Sequence, residues 1–381
     1  MNFQLPEVAS FGLVAINIVM VAILIMLTYK GVKSPYKLSL KVLIITHALI
    51  LSLAIFDFYS GDYYHYYNIM YKMERRIVHM DFSFWDASEH MEMVYWYIAM
   101  FVKFNYFWFR VIVWGSAYFI FLLLIKRLDL KMGSTLAAFI CFPLMVFCYA
   151  RVTLAMVIAF YGFSYIVKKP KYLNYVFSVA VGIFIIFLSG YFHKSAVLLW
   201  AVFPFALMKI NRKNIVLMII LLPLFSLAIN LLGVDYFMDM NDGDATVEKF
   251  QNYMTRTSNS RSLGGLIYEV LQKIPYLLSC YFFIIILRKR IYLPPAIAPY
   301  VNLVLFLTVI YVTLLLPSSY NTSTIANRIL FFSALPIACS LGYIIPIVKS
   351  KYLKFIYLSG VVYTFYQLLY ISLAAYNGNL H

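Results

Sequence analysis

Residues 151–194 read R VTLAMVIAFYGFSYIV KKPK YLNYVFSVAVGIFIIFLSG YFHK, and their layout decides the fold. Two apolar runs, 152–167 and 172–190, flank a short loop carrying Lys168, Lys169 and Lys171. Each run approaches the length of about 20 residues that a helix needs to cross a hydrocarbon core of about 30 Å. The same alternation continues in both directions. Apolar runs fall at 8–29, 42–58, 106–125, 133–149, 195–208, 214–232, 266–287, 296–316, 329–348 and 355–375, which with the first two predicts about twelve membrane-spanning helices. Nineteen of the 31 basic residues lie in six short loops, 30–41, 126–131, 168–171, 209–213, 288–290 and 349–354, beside a single acidic residue, Asp129. The other acidic residues occupy the alternate loops or the span borders. This is the positive-inside pattern. It predicts that the six basic loops face the cytoplasm and that both termini face outward.

Composition agrees. The chain is 64% hydrophobic and 12% charged, with a mean hydropathy of +0.84. A soluble domain carries about 25% charged residues, so the reading is an all-α polytopic membrane protein, one transmembrane domain over 1–381. The net charge of +16 does not imply nucleic acid as a partner. The cations flank helices in threes and fours, as an anionic cytoplasmic leaflet requires. No basic region precedes the first apolar run, so 8–29 reads as a first span rather than a cleaved leader. Cys141, Cys148, Cys280 and Cys339 all fall within spans and lack metal spacing, which makes them ordinary buried thiols.

Two outer connections are long. The first, 59–105, opens on Ser60-Gly61-Asp62-Tyr63-Tyr64-His65-Tyr66-Tyr67. It ends in an apolar stretch, 88–104, punctuated by Glu92 and Lys103. That stretch is read as one long helix with the following span or as an interfacial helix leading into it. The second, 233–265, is acidic in its first half and contains Arg256 and Arg261. Its polarity predicts a surface loop that can serve as a lid.

An ionisable residue at a span end is a functional candidate, because an Arg or Lys at mid-membrane costs about 2.5–3.5 kcal/mol even on the lenient scale. Arg151 opens a span after a very short outer link, where its charge adds to the free N–H groups of a helix start. The competing reading is a snorkelling anchor or an ion pair with a nearby Asp. His193 and Lys194 sit in a short outer turn between two apolar runs, and Arg328 opens a later span. Asp62 lies among Tyr63, Tyr66 and Tyr67, a setting that suits sugar faces as well as an interfacial aromatic belt. Arg110, Arg256, Arg261 and Glu269 are further candidates. The chain contains no HExxH, P-loop or GxSxG motif, and no metal or cofactor is expected.

Four of these stretches resemble the EpsG/Wzy-type polysaccharide polymerases. Gly61-Asp62-Tyr63 with its following tyrosines is similar to their G-x-D-Y…Y stretch. Arg151-x-x-Leu154-Ala155 resembles their R-x-x-L-A helix start. Phe192-His193-Lys194-Ser195-Ala196 resembles their F-H-x-S-A turn, and Asn327-Arg328 precedes a late apolar run as theirs does. The resemblance covers most of 55–335. It implies a bacterial inner-membrane glycosyltransferase of GT-C-like architecture. Such an enzyme works on the periplasmic face on undecaprenyl-diphosphate-linked oligosaccharides, with a chain-length regulator of the co-polymerase type as partner. The growing glycan would pass from its lipid diphosphate to the non-reducing end of a new lipid-linked unit. Arg151 and Arg328, supported by Lys194, would meet the diphosphate, and His193 or Asp62 would serve as base. Tyr63, Tyr66, Tyr67, Arg110, Arg256 and Arg261 would bind substrate. An O-antigen ligase acting on lipid A core, and a lipid-linked oligosaccharide flippase or transporter, are the alternatives.

Overall fold

The computed structural model describes residues 11–33, 39–56, 70, 74, 92–140, 150–193, 196–208, 220, 263–289, 291–315, 330–348 and 351–376. Among them the regular structure is entirely helical. The helices are α1 (Phe11–Lys33), α2 (Leu40–Phe56), α3 (Met93–Phe101), α4 (Tyr106–Arg127), α5 (Met132–Ile140) and α6 (Ala150–Val167). They continue with α7 (Tyr175–Phe192), α8 (Val197–Ala206), α9 (Leu263–Arg288), α10 (Ala298–Leu315), α11 (Ala334–Ile344) and α12 (Lys351–Tyr376). Eleven of the twelve apolar runs therefore appear as helices over their described residues. The run 214–232 lies outside the described residues, apart from Ile220.

The apolar runs form helices because lipid offers no partner for backbone N–H and C=O groups, which must bond within the segment. α4 and α7 are each long and apolar enough to cross a membrane, with mean hydropathies of 1.9 and 2.1, and five shorter apolar helices accompany them among the described residues. The outward faces are apolar too: Val19, Met26, Ile44, Phe119, Phe184, Phe355 and Leu358 are all exposed. A soluble protein rarely presents so much apolar surface, whereas a lipid-facing bundle must.

The 88–104 stretch is not continuous with the following span. α3 stops at Phe101, and Lys103 and Phe104 take left-handed backbone angles, φ 52° and 56°. Asn105 then starts α4 by accepting from the Trp108 amide through its side chain at 3.2 Å. Two non-glycine residues at positive φ cannot belong to a right-handed helix, so the one-long-helix alternative gives way to two helices.

α6 and α7 form an antiparallel pair that meets glycine to glycine. A Cβ on Gly162 would fall 2.8 Å from the Gly182 carbonyl oxygen, and one on Gly182 2.8 Å from the Gly162 oxygen. Small residues allow this approach, and close packing is what associates helices in lipid. Ser178 adds a bond across the pair to the Tyr165 carbonyl at 2.7 Å. α4 packs beside α6, α2 on α4, and α5 between α1 and α11. His47 of α2 and Tyr118 of α4 share a hydrogen bond across their helices.

The helix ends that border the basic loops meet one another. Tyr357 of α12 donates to the Ile25 carbonyl of α1 at 2.9 Å. Ser134 of α5 donates to the Gly342 carbonyl of α11 at 2.7 Å. Asn302 of α10 donates to the carbonyls of Ala206 and Met208 at 3.0 and 2.9 Å. Between α4 and α6 the basic residues themselves make the contact. Arg127 donates to the Lys168 carbonyl and lies 3.6 Å over the Tyr165 ring. Lys168 returns a bond to the Arg127 carbonyl at 2.8 Å and pairs with Asp129. Cations at helix C-termini satisfy orphan carbonyls and oppose the dipole. Arg127→Ala should therefore lower stability by about 2 kcal/mol, read as a lower melting temperature of the detergent-solubilised protein; an unchanged melt would show the clasp to be incidental.

Candidate functional site

At the end of α6 away from the basic loops, Arg151 occupies the first turn. Its side chain is only 12% exposed and its Nη1 donates to Glu92 Oε2 at 2.8 Å, with Glu92 13% exposed. Of the competing readings of Arg151, an ion pair is thus present, but its partner is a glutamate from the end of the first long connection and not an aspartate. Such a pair is shielded enough that neither charge stands unpaired in a low-dielectric setting.

Tyr95, one turn after Glu92 and fully buried, organises the surroundings. Its hydroxyl donates to the Arg151 carbonyl at 3.3 Å, and its ring lies 5.9 Å from the Arg151 guanidinium carbon. The same ring packs edge-on against Phe192 of α7 and tilted against Phe109 of α4, at 6.4 and 6.1 Å between centroids. One residue of α3 therefore touches α4, α6 and α7. Sequence reading did not select Glu92 or Tyr95. The signal in the sequence was Glu92 itself, the carboxylate that follows Glu89 into the apolar run.

His193 follows Phe192 directly and caps α7 in an extended conformation. Its amide donates to the Ser189 carbonyl at 3.2 Å and its own carbonyl accepts from the Ala196 amide at 2.9 Å. The turn is braced from α8, where Trp200 donates to the Ile186 carbonyl at 2.9 Å and lies against Gly190. The Phe192-His193 turn and the Arg151 helix start are thus joined through Tyr95.

Arg110 is buried, 5% exposed, near the start of α4. α4 and α6 run parallel: Arg127 reaches Ser164 and Lys168 at their ends, while Tyr95 links Phe109 to Arg151 at their starts. Arg110 and Arg151 therefore share the same end of the bundle. Asp62, Tyr63, Tyr66, Tyr67, Lys194, Arg256, Arg261 and Arg328 lie outside the described residues, as does most of the 233–265 loop. Among the described residues no group of three or more His, Cys, Asp or Glu could hold a metal ion.

The described geometry supplies one shielded guanidinium at a helix start, a second buried arginine at the same end, and a histidine on the adjoining turn. A guanidinium beside free helix N–H groups suits a phosphate. No curated protein and no solved structure matches the chain. A family model does, and it takes in α2 through α12 together with the turns just described: the EpsG family model matches residues 40–380, and the chain belongs to the EpsG family.

Proposed function

We propose that this protein is a polysaccharide polymerase of the bacterial inner membrane. It transfers a growing glycan from undecaprenyl diphosphate to the non-reducing end of a lipid-linked repeat unit on the periplasmic face. The observation that carries this reading is Arg151: a guanidinium shielded at a helix start, at the opposite end of the bundle from the lysine-rich loops. Membership of the EpsG family supports the reaction class.

As the anomeric bond breaks, charge grows on the diphosphate. Arg151 stabilises that charge where it develops, with Arg328 and Lys194 as partners in the same task. A diphosphate neutralised in this way leaves without a dedicated acid, and the guanidinium fork takes the place of a metal. His193 takes the proton from the acceptor hydroxyl, with Asp62 as the other candidate. The tyrosines from Tyr63 to Tyr67 receive the sugars. A single displacement inverts the anomeric centre. NMR of the polymer linkage against the donor checks this, and a retained configuration would refute it.

A deletion strain separates the polymerase from its nearest rival. Loss of a polymerase leaves single repeat units on the lipid core; loss of a ligase leaves the core bare. The first outcome is expected, and the second would reassign the acceptor to lipid A core.

A further inference from the structure

We infer that Glu92 is a positioning residue for Arg151: its carboxylate fixes the orientation in which the guanidinium meets the diphosphate. The inference rests on the reading that Arg151 binds the diphosphate. Glu92 stands at the N-cap of α3, yet its side chain makes no cap bond to its own helix. From that position the short side chains of Ser, Thr, Asp and Asn serve the first-turn amides, and the longer glutamate is free of that task. This one reaches to Arg151 Nη1 at 2.8 Å instead. One turn along, the Tyr95 hydroxyl holds the Arg151 carbonyl. The same helical turn therefore grips Arg151 at its backbone and at its side-chain tip.

A guanidinium is a rigid planar fork of five N–H donors, so a carboxylate that holds one nitrogen sets the orientation of the whole group. A long side chain fixed before the ligand arrives loses less freedom on binding, and its donors are already aimed. The geometry also argues against Glu92 as the base. In an in-line displacement the base stands across the anomeric carbon from the leaving group, whereas Glu92 shares the guanidinium that holds the leaving group. Simple electrostatics makes the opposite prediction to positioning. Removing a carboxylate beside an arginine should tighten anion binding, whereas removing a positioning group should weaken it.

The test uses the full chain in nanodiscs of neutral lipid, with undecaprenyl diphosphate as the probe and dissociation constants as the readout. Glu92→Gln is expected to weaken binding by about tenfold. Glu92→Asp, one methylene shorter, weakens it by about threefold. In an Arg151→Lys background Glu92→Gln changes binding by less than about twofold, because the two residues act as one unit; a merely structural role would lower it again. Binding by Glu92→Gln as tight as the wild type, or tighter, overturns the inference. If Glu92→Gln yields no folded protein, Glu92→Asp decides, and wild-type affinity there overturns it equally. Arg151→Ala separates the two layers. If it loses the probe while Glu92→Gln keeps it, only the positioning role falls. If Arg151→Ala binds as the wild type does, the underlying reading falls as well.

Discussion

Arg151→Ala is expected to lower polymer synthesis by about 10²–10³-fold, the usual cost of removing one preorganised group that stabilises developing charge. The substitution also strands Glu92. Removing one partner of a partly buried ion pair leaves the other charge shielded from water, at a cost below the roughly 3–5 kcal/mol of a fully buried pair. Loss of activity and loss of protein must therefore be told apart. Arg151→Lys does this, since an ammonium keeps the charge beside Glu92 but lacks the planar fork that matches a phosphate. It should accumulate normally and still make polymer about tenfold more slowly. Polymer length on gels, normalised to the amount of protein in the membrane, gives the answer. Full-length polymer from Arg151→Ala at normal protein levels would remove Arg151 from the reaction.

Gly182→Leu is expected to abolish folded protein. A Cβ at this position meets the Gly162 carbonyl oxygen at 2.8 Å, the Ile166 side chain at 2.8 Å and the Tyr165 Cβ at 3.2 Å. The nearest of these is partner backbone, which cannot rotate out of the way. Overpacking costs about 1–3 kcal/mol where side chains can adjust, and more where they cannot. α6 carries Arg151 and α7 carries the Phe192-His193 turn, so a wedge here also separates the two halves of the site. Gly115 of α4 supplies the control: nothing lies within 4 Å of its added Cβ. Gly115→Ala should leave stability unchanged or raise it by up to about 1 kcal/mol, as expected for alanine in a helix. Melting temperature and monodispersity in detergent report both variants. A well-behaved Gly182→Leu protein would show that the α6–α7 contact is not needed.

The helices were legible because hydropathy is local. An apolar run must satisfy its own backbone in lipid, so 106–125, in which Arg110 is the one charged residue, had to become α4 and 172–190 had to become α7. The break after Phe101 was harder to read. It depends on left-handed backbone at Lys103 and Phe104, residues whose side chains give no turn signal; only the Asn105 cap was written in the chain. The basic loops were read as lipid anchors, but Arg127 and Lys168 cap each other's helices, and that pairing exists only once α4 and α6 lie side by side.

The site divides in the same way. Arg151 and His193 stood out because each is a polar interruption where two apolar runs meet, which the linear charge pattern shows directly. Sequence alone thus determined the class of protein, the extent of most helices and the identity of the exceptional cations, since each depends on a residue and its near neighbours. Only the tertiary structure decided that Glu92 pairs with Arg151 and that Tyr95 joins Arg151 to the Phe192-His193 turn. Those contacts link positions 92, 95, 109, 151 and 192. An ion pair or an aromatic edge forms wherever packing brings its two groups within a few ångströms, and separation along the chain does not encode that distance.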